Sequence, residues 1–299
     1  MIRSIILSSL LLSVPLVAEA KLTIFACEPE WAALAEEIAQ GQVKAFSATS
    51  AHQDPHYIQA RPSLIAKVRR ADLVVCSGAQ LEIGWLPALL NKANNPKVKP
   101  GSDAYIETSA LVQRLDIPDS IDRSKGDVHP QGNPHVQTNP HNITLIAKVL
   151  AEKMIALDAK QADVYRQGLA SFMQRWTAAI QNWEQRGAVL KGKRIITHHK
   201  SWVYLQDWLG LIEVATMEPV PGIPPTAGHL AGLISKFGNG GADLILRTPY
   251  QDGKASAWLS ERSGIRAIAL PFTVGGTDMA TDLFSLFDET INILLGEKP

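Results

Sequence analysis

Beyond residue 20 the chain alternates two kinds of apolar pattern. Short strand-like runs, LTIFAC, KAFSAT and DLVVCSG in the first half and KRIITHH, LIEVATM, ADLILRT and IRAIALPF in the second, are rich in β-branched or continuously apolar residues. Between them lie segments whose apolar residues recur at helical spacing: Glu30 to Gln40, SLIAKVRRA, LEIGWLPALLNKA, a short piece from Val203 to Leu209, TAGHLAGLISKF, KASAWLSER and a last segment through Asp282 to Leu295. Regular alternation of the two patterns predicts an α/β fold with mostly parallel sheets flanked by helices. The two halves share this grammar without an obvious sequence repeat.

The longest helical tract separates the halves, from about Ile143 to Gly187, with a break expected near Leu157-Asp158-Ala159. Within it Val164, Leu169, Phe172, Trp176, Ile180 and Trp183 recur with polar residues between them. A helix of roughly 28 residues spans about 40 Å, enough to run across two lobes. The expected organisation is an N-terminal α/β lobe over 21–158, a rigid connecting helix over 159–187 and a C-terminal α/β lobe over 188–299. The stretch from Asp116 to Asn142 is rich in Pro, Gly, Asp, Asn and His, has no sustained period, and reads as loop.

Composition narrows the class of function. Arg3 precedes an apolar run from Ile5 to Ala18 that ends in Ala18-Glu19-Ala20, the pattern of a signal peptide over 1–20 cleaved near Ala20. The mature chain is therefore expected outside the cytoplasm. Lys plus Arg number 29 and Asp plus Glu 29, with no run of like charge, so there is no electrostatic footprint for nucleic acid or an anionic membrane. A small ligand or a protein partner is left. Cys27 and Cys76 end strand-like runs that could lie side by side; a disulfide and two buried thiols both remain open, and the C-x-x-C spacing of a zinc knuckle is missing.

Seven of the eight histidines fall into three clusters: His52 and His56; His129, His135 and His141; His198 and His199. Each cluster occupies a turn or strand end: His56 follows an Asp-Pro turn ahead of Ser63, which could cap the next helix; His135 and His141 follow Asn-Pro; His198 and His199 end a strand. A neutral imidazole offers one ring nitrogen to a borderline-soft cation and leaves the other to be oriented by an oxygen. Clusters far apart in sequence can then converge on one ion. No H-E-x-x-H helix, G-x-S-x-G elbow or phosphate-cradling G-x-x-x-x-G-K-[ST] loop is present to support an enzyme, so a zinc-dependent hydrolase is the weaker reading.

DPHYIQARPS, GNPHVQTNPHN, THHKSWVYL and EPVPGIPPTAGHLAGLI, taken in order, resemble the zinc and manganese receptors among the solute-binding proteins of ABC importers. The resemblance covers essentially the whole mature chain and implies two lobes around one divalent ion, no catalysis, a membrane permease as partner, and a monomer. It also implies His56, His135 and His199 as the first, second and third metal ligands. Members that take manganese tend to carry Glu at the third place; His there suits zinc, since manganese prefers oxygen. Manganese or another divalent metal is the alternative cargo. The family's usual fourth ligand, an aspartate after the last strand, is replaced by Val274. Asp278 is the nearest substitute, with Asp282, Glu28, a neighbouring histidine or water as rivals, and Asp278 could equally serve as the N-cap of the last helix.

Overall fold

The computed structural model describes residues 20–119, 126 and 128–297. The expected signal peptide and part of the His129 loop fall outside the described residues.

Four strands, β1 (Leu22–Ala26), β2 (Val43–Ser47), β3 (Leu73–Cys76) and β4 (Tyr105–Glu107), form a parallel sheet in the order β2-β1-β3-β4. A second parallel sheet repeats that order as β6-β5-β7-β8, from β5 (Arg194–Thr197), β6 (Ile212–Thr216), β7 (Leu244–Arg247) and β8 (Arg266–Ala269). The central strands alternate between two apolar layers. In the first sheet Ile24, Leu73 and Val75 enter one core cluster, while Phe25, Val74 and Cys76 enter another. Burial on both faces explains why β1 and β3 read as continuous apolar runs. Strand β4 was not anticipated: its three residues carry a single buried side chain, Ile106, too short a pattern to show alternation.

The helices are α1 (Pro29–Ala39), α2 (Pro62–Arg70), α3 (Leu86–Ala93), α4 (Pro140–Leu157), α5 (Ala162–Gly187), α6 (Val203–Leu209), α7 (Ala227–Phe237), α8 (Lys254–Ser263) and α9 (Leu283–Leu295). Proline at the first or second position starts α1 to α4, where a missing N–H costs nothing. Ser63 does not cap α2, because Arg61 holds the cap position and Pro62 already lies in the first turn. Helix α3 is shorter than its apolar pattern, since residues 81–85 are turns.

Helices α4 and α5 are separated by a single 3-10 turn over Ala159–Gln161, at the expected break. Helix α5, with 26 residues, touches both halves. Gly168 lets it approach α1 so closely that a Cβ would stand 1.9 Å from the Ile38 carbonyl oxygen. Further along, Trp176 and Trp183 pack on Phe284 and Phe287 of α9. One apolar cluster thus runs from Ile24 and Leu34 through α5 to Ile195 and Ile291. A disulfide joins Cys27 to Cys76, whose Cα atoms are 4.8 Å apart. Among the described residues no helix is long and apolar enough to cross a membrane.

In each sheet the chain reverses its direction of winding between the two central strands, β1 and β3 or β5 and β7. Crevices beyond the carboxyl ends of such strands are where this class of fold binds ligands. Both crevices open toward the same cleft, because His56 follows β2, His199 follows β5, and the two rings lie 5.6 Å apart.

Candidate metal centre

The turn after β2 presents His56. Asp54 Oδ1 accepts hydrogen bonds from the His56 backbone N–H at 3.0 Å and from Nδ1 at 2.7 Å, while Trp85 Nε1 holds the Pro55 carbonyl at 2.9 Å. Burial raises the Asp54 carboxyl, but the bonds and charge of His56 outweigh it and hold the group below the usual carboxylate range. His199, just past β5, is fixed in the same way: its Nδ1 lies 2.7 Å from Glu218 Oε2, which also accepts the Gly222 N–H at 2.9 Å. His129 completes the pattern with Nδ1 at 3.1 Å from the Ala79 carbonyl oxygen. In the His56 and His199 rings an oxygen acceptor takes the Nδ1 proton, which turns the Nε2 lone pair toward the centre.

His135 differs. It is fully buried, and neither ring nitrogen has a hydrogen-bond partner. Its backbone is set by Asn133, whose Oδ1 accepts the His135 N–H at 3.0 Å, and its ring lies edge-on to Phe272 at 5.1 Å. Burial, followed by the neighbouring histidines, pushes its basicity well below the ordinary value, so the ring is neutral. Ligand atoms of His56, His135 and His199 all lie within 4.8 Å of one another. His129 Nε2 stands 3.3 Å from His56 Nε2. Two lone pairs at that separation repel unless a proton or a cation lies between them.

Asn133 also ties the halves together. Its Nδ2 donates to the Lys200 carbonyl, next to His199, at 2.7 Å, and Tyr204 Oη donates to the Asn133 carbonyl at 3.0 Å while accepting Leu115 N–H at 3.1 Å. The Lys200 ammonium pairs with Asp116 at 3.0 Å. A further bond between the halves runs from the Thr273 hydroxyl to Glu30.

Asp278, the expected oxygen donor, is not brought to the histidines; it lies exposed in an irregular segment after β8. Nor does it cap α9, where Asp282 forms a capping box with Ser285. Glu28 is engaged elsewhere, accepting from Trp31 Nε1 at 3.0 Å and Ser77 Oγ at 2.9 Å. The remaining histidines lie apart or beside the centre: His52 is exposed, His141 bonds Glu184 at 2.7 Å, His229 bonds the Thr216 carbonyl at 2.9 Å, and His198 is buried next to His199 with Nδ1 unpartnered. His129 was named in its cluster but not among the three expected ligands, although it lies in the same Pro- and Gly-rich loop as His135. Nor did the sequence single out Glu30 and Glu82, each pushed by burial to a pKa of about 7.

The model of the family described as zinc-uptake complex component A, periplasmic, matches residues 24–295. The chain belongs to this family. It is accordingly an extracytoplasmic substrate-binding protein of a metal ABC importer, with a metal ligand and a permease partner, and not an enzyme. Among curated relatives it is 24% identical to the manganese ABC transporter substrate-binding lipoprotein PsaA of Streptococcus pneumoniae, over 85% of this chain and 80% of that one. It is 22% identical to the iron ABC transporter substrate-binding lipoprotein MtsA of Streptococcus pyogenes serotype M1, again over 85% and 80%. A crystal structure of ZnuA superposes with a TM-score of 0.77 at 21% identity, covering 92% of this chain and 99% of the other. FpvC from Pseudomonas aeruginosa in complex with Mn2+ gives 0.72 at 20% identity, covering 92% and 96%. These likenesses establish the two-lobe fold.

Proposed function

We propose that the protein captures one zinc ion in the periplasm, through His56, His135, His199 and His129, and delivers it to the permease of its importer. The carrying observation is the orientation of the rings: three have Nδ1 bonded to an oxygen, and the fourth, His135, is a neutral, fully buried imidazole without a partner. Two nitrogens bound to zinc at 2.0–2.1 Å in a tetrahedron stand about 3.3 Å apart. The His56–His129 separation of 3.3 Å fits that spacing. His129 is thus a nearer candidate than Asp278 for the place that Val274 leaves empty, and its ring must shift toward His135 and His199 to close the set, because of the four only the ligand atoms of His56, His135 and His199 lie within 4.8 Å of one another.

An all-imidazole set favours zinc over manganese, whose preference is for oxygen. The nearby carboxylates of Asp54 and Glu218 point their oxygens at Nδ1 atoms and serve as orienting groups. His56, His129 and His135 precede α5 and His199 follows it, so a bound ion links the halves and its release requires only that one ligand set retreat. Because α5 packs on both α1 and α9, retreat of the His129 loop is an easier route than a wide hinge.

Equilibrium competition against a chromophoric chelator, with elemental analysis of the purified protein, tests this reading. His56→Ala, His135→Ala and His199→Ala are each expected to weaken zinc at least tenfold, about 1.4 kcal/mol. His129→Ala is expected to do the same and Asp278→Ala to leave affinity unchanged. Unaltered affinity in all of the first three variants sinks the site, and stronger binding of manganese than of zinc sinks the choice of metal.

A further inference from the structure

The ring of His135 has no hydrogen-bond partner at either nitrogen, whereas Asp54 and Glu218 aim the rings of His56 and His199. Its place is therefore set from the backbone and by packing. The ring rests edge-on against Phe272, and the turn that follows, Val136–Thr138, is tied back to the His135 carbonyl by the Thr138 hydroxyl at 3.0 Å. On the other side stands Asn133, only 4% exposed, whose Oδ1 accepts the His135 N–H at 3.0 Å.

All four polar atoms of Asn133 are engaged. Its backbone N–H donates to the Leu115 carbonyl at 2.8 Å, and its carbonyl accepts from Tyr204 Oη at 3.0 Å. The side-chain amide faces two ways, with Oδ1 on the His135 N–H and Nδ2 on the Lys200 carbonyl at 2.7 Å. Lys200 directly follows His199, and the Ser201 N–H closes a tight turn on the His199 carbonyl at 2.7 Å. The second bond therefore fixes the backbone that carries His199. Asn133 precedes α5 and Lys200 follows it, so this bond crosses between the halves. An amide presents an acceptor and a donor together; Asp would set an oxygen against the Lys200 carbonyl, and Ser is too short to reach both partners.

We propose that Asn133 is a positioning residue for the metal centre, setting the separation of His135 from His199 across the halves before an ion arrives. This rests on the receptor reading above, in which both histidines are ligands. Binding constellations work when their members are held to within about 0.5 Å, and the partners that hold ligands are worth about 10–100-fold in metal affinity. Asp54 and Glu218 supply that hold through the rings of His56 and His199; for His135, Asn133 supplies it through the backbone.

The test is a double-mutant cycle in the full chain, read as zinc affinity by competition with a chromophoric chelator. Asn133→Ser keeps an acceptor for the His135 N–H and loses the bond to Lys200, and Asn133→Ala loses both. In the parent chain each is expected to weaken zinc at least about tenfold. In a His135→Ala background no His135–His199 separation remains to be set, and the same substitutions should change affinity by less than about threefold. In a His56→Ala background the full loss should return, because His135 and His199 are both present. The same loss in all three backgrounds marks a role in general stability and overturns the proposal, as does affinity within about twofold of the parent for both variants. Asn133→Ser, which keeps the turn, decides the matter should Asn133→Ala fail to fold. His135→Ala alone reports on the receptor reading: unchanged zinc affinity overturns that reading and the proposal with it. A clear loss in His135→Ala, with equal Asn133 effects in every background, overturns the positioning role alone.

Discussion

Replacing Glu218 by Gln separates the orienting role of this carboxylate from its role in the fold. Glu218 Oε2 stands 2.7 Å from His199 Nδ1, and both side chains are largely shielded, at 12% and 9% exposure. The carboxylate fixes the tautomer that leaves Nε2 free, and its charge raises the basicity of that nitrogen. A Gln oxygen can still accept from Nδ1–H, so the substitution keeps the ring's direction and removes the charge. The expected loss of zinc affinity is about tenfold, or about 1.4 kcal/mol, the low end for such partners; Glu218→Ala, which removes direction as well, should approach 100-fold, about 2.7 kcal/mol. The assay is competition with a chromophoric chelator, run beside thermal melting of the metal-free protein. Affinity within twofold of the parent for both variants would refute the argument. Affinity loss that tracks a matching fall in apo melting temperature would assign Glu218 to the fold instead.

Burial lifts the Glu30 carboxyl from its ordinary 4.5 to about 7. Between those values the folded chain keeps a proton that the unfolded chain gives up, so stability falls as pH rises through that window and levels off above it. Glu30→Gln should reduce this slope in denaturant midpoints measured from about pH 5 to 8, leaving the part that Glu82 contributes, and an unchanged slope would show that Glu30 does not contribute to it. Gly168→Ala forces α5 away from the Ile38 carbonyl, since its Cβ would meet that oxygen at 1.9 Å. Overpacking of this kind costs about 1–3 kcal/mol, and an apo melting temperature equal to the parent's would show that the α1–α5 contact yields freely.

The alternation of strand and helix patterns determined the α/β class, and short β-branched or continuously apolar runs located every strand but β4. Local chemistry placed seven histidines on turns and strand ends, because turn formers such as Asp54-Pro55 and Asn133-Pro134 act within a few residues of the side chains they aim, and the family resemblance picked out His56, His135 and His199, whose ligand atoms the structure brings together. The fourth position was beyond the sequence. Whether His129 or Asp278 faces the centre depends on where two irregular segments fold back, and such segments carry no periodicity. The same holds for Glu218, which is 19 residues from His199 and becomes its partner only because β5 and β6 are neighbours in one sheet. The pairing of Cys27 with Cys76 likewise had to await the adjacency of β1 and β3. Periodicity reports which face of an element is buried; which elements meet, and so which side chains share a proton or a metal, is decided by the packing of sheets and helices against one another.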